Sequence, residues 1–381
     1  MSGPQGSIHH GSIRDGSGWP ALAAPGETMR AVVLPEFGPP EVLREDVVPV
    51  PEPAPGDVLV QVAAVSIGRV LDLAARAGRH PYPGFRFPHV LGAEHAGVIA
   101  ALGPGVTGWH VGQRVAAFPV ISDGTCYYCL RGYDEVCENL QILGIHRPGA
   151  YAQYVTVPAR NLSAVPEDVT PAQATGLALS GAVAMNQLQR AGFLAGQWIL
   201  VQGASSALGS LTASLALHLG ARVILASRSP AKRERLGALG ADAILDPLAA
   251  GFAAEVRVLT GGRGADIVID SLGEATIFEA SRDALAPTGA LVTSGAFLGR
   301  DVTVDLPSLY LQSQRIIGVR SGNAASIAAV WSEVRRGFRP VLDTTFPLED
   351  AAEAHRYLED GQNTGRVSLE IPRPERDGSG T

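Results

Sequence analysis

From residue 198 onward the chain alternates short, continuous apolar runs with helix-patterned segments, and this alternation limits its folds more than any other feature. Trp198-Ile-Leu-Val-Gln202 leads into a Gly/Ser turn at 203–209, a helix to Leu219 and a second run, Arg222-Val-Ile-Leu-Ala226. A Lys/Arg/Glu helix at 230–239 follows, then Ala243-Ile-Leu245, Asp266-Ile-Val-Ile-Asp270, Ala290-Leu-Val-Thr293 and Arg315-Ile-Ile-Gly-Val319. Strands that are apolar on both faces need cover on both faces, and alternating helices supply it. The pattern predicts an α/β domain built on a parallel sheet.

The rest of the chain reads differently. Between 30 and 120, short β-branched runs such as Ala31-Val-Val-Leu34 and Val58-Leu-Val-Gln-Val62 are punctuated by Gly and Pro, which predicts a compact antiparallel β domain. Thr170-Pro171 supplies an N-cap and a first-turn proline for an Ala-rich helix. Residues 320–371 hold two helices and a closing strand, Gly365-Arg-Val-Ser-Leu-Glu-Ile371, expected to return to the β domain. With 381 residues, 46% of them apolar, the chain has material for two cores. Residues 1–28 are rich in Gly, Ser and Pro without an apolar signal core, and are expected to be a disordered extension; 374–381 form a polar tail. A net charge of −7 argues against nucleic acid or an anionic membrane as partner, and no apolar run is long enough to cross a bilayer. An odd, clustered set of three cysteines argues against a disulfide framework and for a reducing, cytoplasmic setting.

Val201-Gln-Gly203-Ala-Ser-Ser206-Ala207-Leu208-Gly209 joins a strand to a helix, the context in which a glycine turn cradles a pyrophosphate against a helix N-terminus. Small residues at 203, 206 and 209 permit that approach; the alternative is a tight turn that holds nothing. NAD sites place an acid at the end of the second strand, whereas the 2′-phosphate of NADP attracts cations. Here the chain reads Ala226-Ser227-Arg228-Ser229-Pro-Ala-Lys232, with no acid until Glu234. Ser227, Ser229, Arg228 and Lys232 point to NADPH, the alternative being a solvated basic helix start. All three cysteines lie in Asp123-Gly-Thr-Cys126-Tyr-Tyr-Cys129-Leu-Arg-Gly-Tyr-Asp-Glu-Val-Cys137, a spacing that suits a four-ligand zinc lobe with a carboxylate as first ligand. Asp123, Cys126, Cys129 and Cys137 would close a tetrahedral structural zinc; otherwise the lobe holds three ordinary thiols.

These motifs, with Pro88-His-Val-Leu-Gly-Ala-Glu-His-Ala-Gly97, Gly149-Ala-Tyr-Ala-Gln-Tyr154 and Thr260-Gly-Gly-Arg-Gly-Ala-Asp-Ile-Val-Ile-Asp270, resemble the medium-chain dehydrogenase/reductase superfamily over about Met29 to Pro372. The likeness is to its zinc-lobed alcohol-dehydrogenase-like members that grade into quinone oxidoreductases. It implies a GroES-like catalytic domain in two segments, 29–181 (lobe at 120–140) and 320–373, around a Rossmann domain at 182–319. It also implies a small-molecule substrate, homodimers formed through the Rossmann sheets, and a nicotinamide near Gly295 and Phe297, with backbone contacts to its carboxamide there and around Val319-Arg-Ser-Gly322. Members with a catalytic zinc hold it with three ligands, and the corresponding positions here are Arg69 (or Gly68, one residue earlier), Ala93 and Leu179, none of which binds zinc.

Without a Lewis acid, alkoxide chemistry loses its stabilising group, whereas hydride transfer to an enone, enoyl group or quinone spreads charge that hydrogen-bond donors can hold. The expectation is therefore an NADPH-dependent reductase of activated double bonds. A metal-free carbonyl reductase or alcohol dehydrogenase is the first alternative, and a non-catalytic NADPH-binding protein the second. Arg69 is a candidate to steady an oxyanion or to bind a substrate carboxylate or phosphate, unless it pairs with Asp72 or Glu94. His95 is a candidate proton donor, unless it is a buried, hydrogen-bonded histidine. Tyr82 borders the expected cleft, or else is an exposed loop residue.

Overall fold

The computed structural model describes residues 18–374 except Pro83. The predicted extension therefore lies outside the described residues up to position 17, and the predicted tail from 375 on.

The first sheet has seven strands. Its order is Leu162–Ala164, Arg114–Ala117, Glu94–Leu102, Asp57–Ser66, Arg366–Glu370 and Leu342–Pro347, with Tyr154–Pro158 also pairing Asp57–Ser66. Asp57–Ser66 is the hub: all ten of its residues are buried, and three strands run antiparallel to it. One of them is the chain's last strand, with Ser368 opposite Ser66, so the chain closes by returning to its first domain. The sheet is not wholly antiparallel, because Leu342–Pro347 runs parallel to Arg366–Glu370.

The second sheet is entirely parallel. Its order is Ala243–Leu245, Arg222–Ala226, Trp198–Gln202, Ala265–Ile269, Leu285–Thr293 and Arg315–Gly318. The central strand Trp198–Gln202 is buried along its whole length, as a strand covered on both faces must be. Between the sheets, the capped helix Pro171–Gly176, a π-helical turn Leu177–Gly181 and the helix Ala182–Ala191 form a continuous bridge. Ala63, Ala96, Val98 and Ala116 of the first sheet join one apolar cluster with Ile199, Val201, Val223 and Leu225 of the second. Among the described residues no helix is long and apolar enough to cross a membrane.

Residues 18–28 depart from the expected disordered extension. Trp19 is 2% exposed and packs into the same apolar cluster, its indole N–H donating to Val169 O at 2.8 Å. Gln61 pins the backbone after it, accepting from Ala23 N at 2.9 Å and donating to Ala21 O at 3.3 Å. A lone tryptophan in a Gly/Pro-rich stretch has no periodicity to reveal its docking. Trp19→Ala should lower stability by about 3–5 kcal/mol, the usual cost of emptying a buried tryptophan site, read as a shift in the denaturant midpoint with unchanged slope.

Candidate active site

The glycine turn is shaped for close approach. Gly203 has φ +60°, and a Cβ on Gly209 would stand 2.5 Å from Gly203 O, so the turn tolerates no side chain at that position. Ser206 caps the helix Ala207–His218 by accepting from Gly209 N at 3.0 Å. Ala207 and Leu208 lie in the first turn of that helix, where backbone N–H groups have no partner within the helix and are available to a phosphate. At the end of the second strand, Ser227 is buried, Arg228 is exposed, and Ser229 caps the helix that carries Lys232, accepting from its N–H at 3.4 Å. Burial lowers the Lys232 ammonium pKa, and the charges of Arg69 and Arg235 lower it further. The residues present therefore fit a dinucleotide, with excess positive charge at its adenosine end.

Arg69 opens a π-helical turn, Arg69–Leu73, and pairs with neither Asp72 nor Glu94. It donates to the carbonyl of Leu358 and to Asn363 Oδ1 at 3.3 Å, and its guanidinium lies 5.2 Å from the Phe297 ring centroid. Asn363 in turn donates to Gly365 O, and Gly365 N donates to Ser205 O in the glycine turn. Arg69 is thereby set in the crevice between the domains, beside Lys232 and Phe297. Gly295 and Phe297 follow the strand Leu285–Thr293, where Leu298 N donates to Leu272 O at 2.7 Å. This is the carboxyl end of the parallel sheet, where ligands of such sheets bind.

Next to Ala93, the Glu94 carboxylate is buried in an ion pair with Arg366 at 3.0 Å, the two side chains being 6% and 2% exposed. Arg366 also donates to Ser180 Oγ, and that hydroxyl donates to Glu94 Oε2 at 3.3 Å. Ser180 lies in the second π-helical turn, one residue from Leu179. Two of the three positions aligned with metal ligands thus sit in π-helical turns, a distortion frequent at functional sites. Sequence reasoning missed Arg366 and Ser180; an arginine at the start of the last strand, Arg366-Val-Ser-Leu-Glu370, was the one local sign. Asp72 accepts from Gly68 N at 2.7 Å and Gly92 N at 3.0 Å, and burial pushes its carboxyl up to about 7.

His95 is 0% exposed inside the sheet. Its Nδ1 contacts Ala93 O at 3.1 Å and so carries the proton, while Nε2 has no partner; burial lowers the ring to about 4. Among the described residues, the only group of three or more His, Cys, Asp or Glu side chains gathered as for a metal is Asp123, Cys126, Cys129 and Cys137, whose ligand atoms lie within 4.8 Å of one another. The 3.5 Å between Cys126 Sγ and Cys129 Sγ is within about 0.3 Å of the edge of a tetrahedron with ~2.3 Å metal–sulfur bonds. N–H groups of Thr125 and Cys126 and the Asn139 amide hold the Asp123 carboxyl well below the usual carboxylate range, keeping it charged. The donor set fits zinc and leaves no position open.

Comparison with known proteins follows the same lines. Residues 54–167 match the alcohol dehydrogenase GroES-like domain family, and residues 207–336 the zinc-binding dehydrogenase family. An NAD-dependent alcohol dehydrogenase of Sulfurisphaera tokodaii is 32% identical over 356 residues, covering 90% of this chain and 99% of that protein. A 2-haloacrylate reductase of a Burkholderia species is 31% identical over 363 residues, covering 90% and 98%. The crystal structure of an NAD-dependent alcohol dehydrogenase superposes with a TM-score of 0.83 at 37% identity, covering 90% of this chain and all of that one.

Two outcomes follow from this geometry. Cys126→Ser should lower the melting temperature, and a zinc chelator should lower that of the wild type but leave the variant's nearly unchanged. Burial holds His80 and His95 at about 4 and His355 at about 3. The unfolded chain therefore binds more protons below about pH 6.5, and stability should fall as pH drops from there toward 4. His95→Leu should flatten that acid limb, measured as melting temperature against pH.

Proposed function

The chain belongs to the medium-chain dehydrogenase/reductase superfamily of nicotinamide-dependent oxidoreductases, and from that premise we propose that it uses NADPH to reduce an activated double bond (enone, enoyl or quinone) with no metal in the reaction. The observation that carries this reading is the Arg366–Glu94–Ser180 cluster. The carboxylate beside the expected metal position is already neutralised by a guanidinium, while Arg69, Gly68, Ala93 and Leu179 offer no ligand. The Burkholderia relative, named for reducing a haloacrylate, supports a conjugated double bond as the reacting group.

Bound in the glycine turn, the reduced dinucleotide supplies a hydride to the electrophilic carbon, and the neighbouring carbon takes a proton from water. The chain's own residues do the rest. Gly203, Ser206, Ala207, Leu208 and Gly209 receive the pyrophosphate, and Ser227, Arg228 and Lys232 receive the 2′-phosphate. Gly295 and Phe297 flank the nicotinamide. Arg69 faces the cofactor side of the crevice, where a bound phosphate relieves its repulsion with Lys232; this position supports a phosphate contact over an oxyanion role. His95, sealed in the sheet, supports a structural part rather than proton delivery. The lobe residues Asp123, Cys126, Cys129 and Cys137 hold a structural zinc that ties the loop together. Three cysteines outside any disulfide suit a reducing compartment such as the cytoplasm.

We also assign a homodimer. The edge strand Arg315–Gly318 and the helix Leu306–Leu311 expose Leu306, Tyr310, Leu311 and Ile316 at 64%, 68%, 73% and 40%, an apolar edge suited to a second copy. Sedimentation should give about twice the chain mass.

Purified protein should oxidise NADPH with enones or quinones; turnover of ketones alone would transfer the assignment to carbonyl reduction, and tight dinucleotide binding without consumption would make it a non-catalytic binder. Arg228→Ala/Lys232→Ala should raise the KM for NADPH ~10- to 100-fold, the worth of charge-assisted phosphate contacts, and change that for NADH less than about threefold.

A further inference from the structure

Between Asp72 and Glu94 the chain carries Arg76, Arg79, His80, Arg86 and His89 and not one acid, in a protein of net charge −7. Arg76 is paired with Glu359, but Arg79 and Arg86 are exposed and make no ion pair among the described residues. Within this segment, Tyr82 is half-buried rather than an exposed loop residue. Its hydroxyl accepts from Arg320 Nη2 at 2.8 Å, and the Arg320 guanidinium lies 5.3 Å from its ring centroid. Rings of His80 and His146 flank it at 4.6 and 5.9 Å.

The protonation pattern gives this cluster its meaning. His80 Nδ1 accepts from Tyr82 N at 3.2 Å, and His146 Nδ1 accepts from Ile142 N at 3.0 Å. Each neutral ring therefore carries its proton on Nε2, and His80 Nε2 is buried without a partner. Burial lowers both rings, His80 to about 4, and no carboxylate acts on either. Arg320 likewise makes no ion pair among the described residues. The cluster is thus a set of donors (Arg320, the Tyr82 hydroxyl, His80 Nε2–H) with no acidic acceptor facing them.

Its place is equally specific. Arg320 follows Val319, whose N–H donates to Thr293 O at 2.8 Å at the carboxyl end of the parallel sheet, while Tyr82 belongs to the other domain. The contact straddles the mouth of the crevice that receives the nicotinamide. We propose that Arg320 and Tyr82, backed by His80, form a carboxylate-binding site, and that the substrate is an α,β-unsaturated carboxylic acid. The proposal rests on the double-bond-reducing reading and narrows it to anionic substrates.

A matched pair of probes tests it. Monomethyl fumarate and dimethyl fumarate share one activated alkene and differ by a single carboxylate. Wild type should prefer the monoacid, with kcat/KM falling as salt rises. Arg320→Met should raise the monoacid KM ~10- to 100-fold, the range for a hydrogen bond to a charged group, with the diester changed less than about twofold and Arg320→Lys recovering part of the loss. Because Arg320 is exposed, unfolding curves should be unchanged. Equal effects on both esters, or a wild-type preference for the diester, would overturn the site. An Arg320 effect confined to crotonoyl coenzyme A would also overturn it, since that anion's phosphates lie far from its alkene. Calorimetric titration of monomethyl succinate into protein saturated with NADP+ gives a readout without turnover. Should neither fumarate be reduced while an enone or quinone is, the unsaturated-acid substrate is wrong; should none of them be reduced, the double-bond reading fails, and weaker succinate binding by Arg320→Met still decides the carboxylate site: loss upholds it, no change removes it.

Discussion

The Arg366–Glu94 ion pair is the interaction on which the rest of the structure depends. It joins the last strand of the chain to Glu94–Leu102 and, through Ser180, to the bridge between the domains. Both charges are nearly solvent-free, so each is tolerable only because the other is present; removing one partner of such a pair typically costs about 3–5 kcal/mol. The pair explains why the final strand belongs to the first domain's sheet although more than 200 residues separate them. It also fixes the chemistry available nearby, because a carboxylate so engaged has little capacity left for a metal.

The crevice inherits its polarity from the same arrangement. With Glu94 matched by Arg366, and Asp72 turned inward onto Gly68 and Gly92, neither acid is left facing the crevice. Three cations gather at the opening: Arg69 beside Lys232, and Arg320 against Tyr82. A crevice with that balance suits negatively charged partners.

Much of this was legible in the sequence because it is local. The parallel sheet followed from runs such as Trp198–Gln202, and the glycine turn from small residues at 203 and 209, where the backbone approaches itself too closely for a side chain. The lobe followed from spacing alone. What could not be read arises from residues distant in sequence. Arg366 meets Glu94 across 272 positions and Arg320 meets Tyr82 across 238, and neither contact leaves a local pattern. Trp19 was hidden for the same reason, since its docking depends on Val169 and on the amide of Gln61. Arg69 was noticed for what it replaced, but its partners, Leu358 and Asn363, come from the far end of the chain.

The central claim is that reduction proceeds at a site held by an ion pair in place of a metal. Metal content and turnover measured on one preparation test it most directly. The account predicts about one zinc per chain, and NADPH-driven reduction of an enone or quinone that is unchanged after exchangeable metal is stripped. Two zincs per chain, or activity lost to a chelator and restored by added zinc, would contradict it.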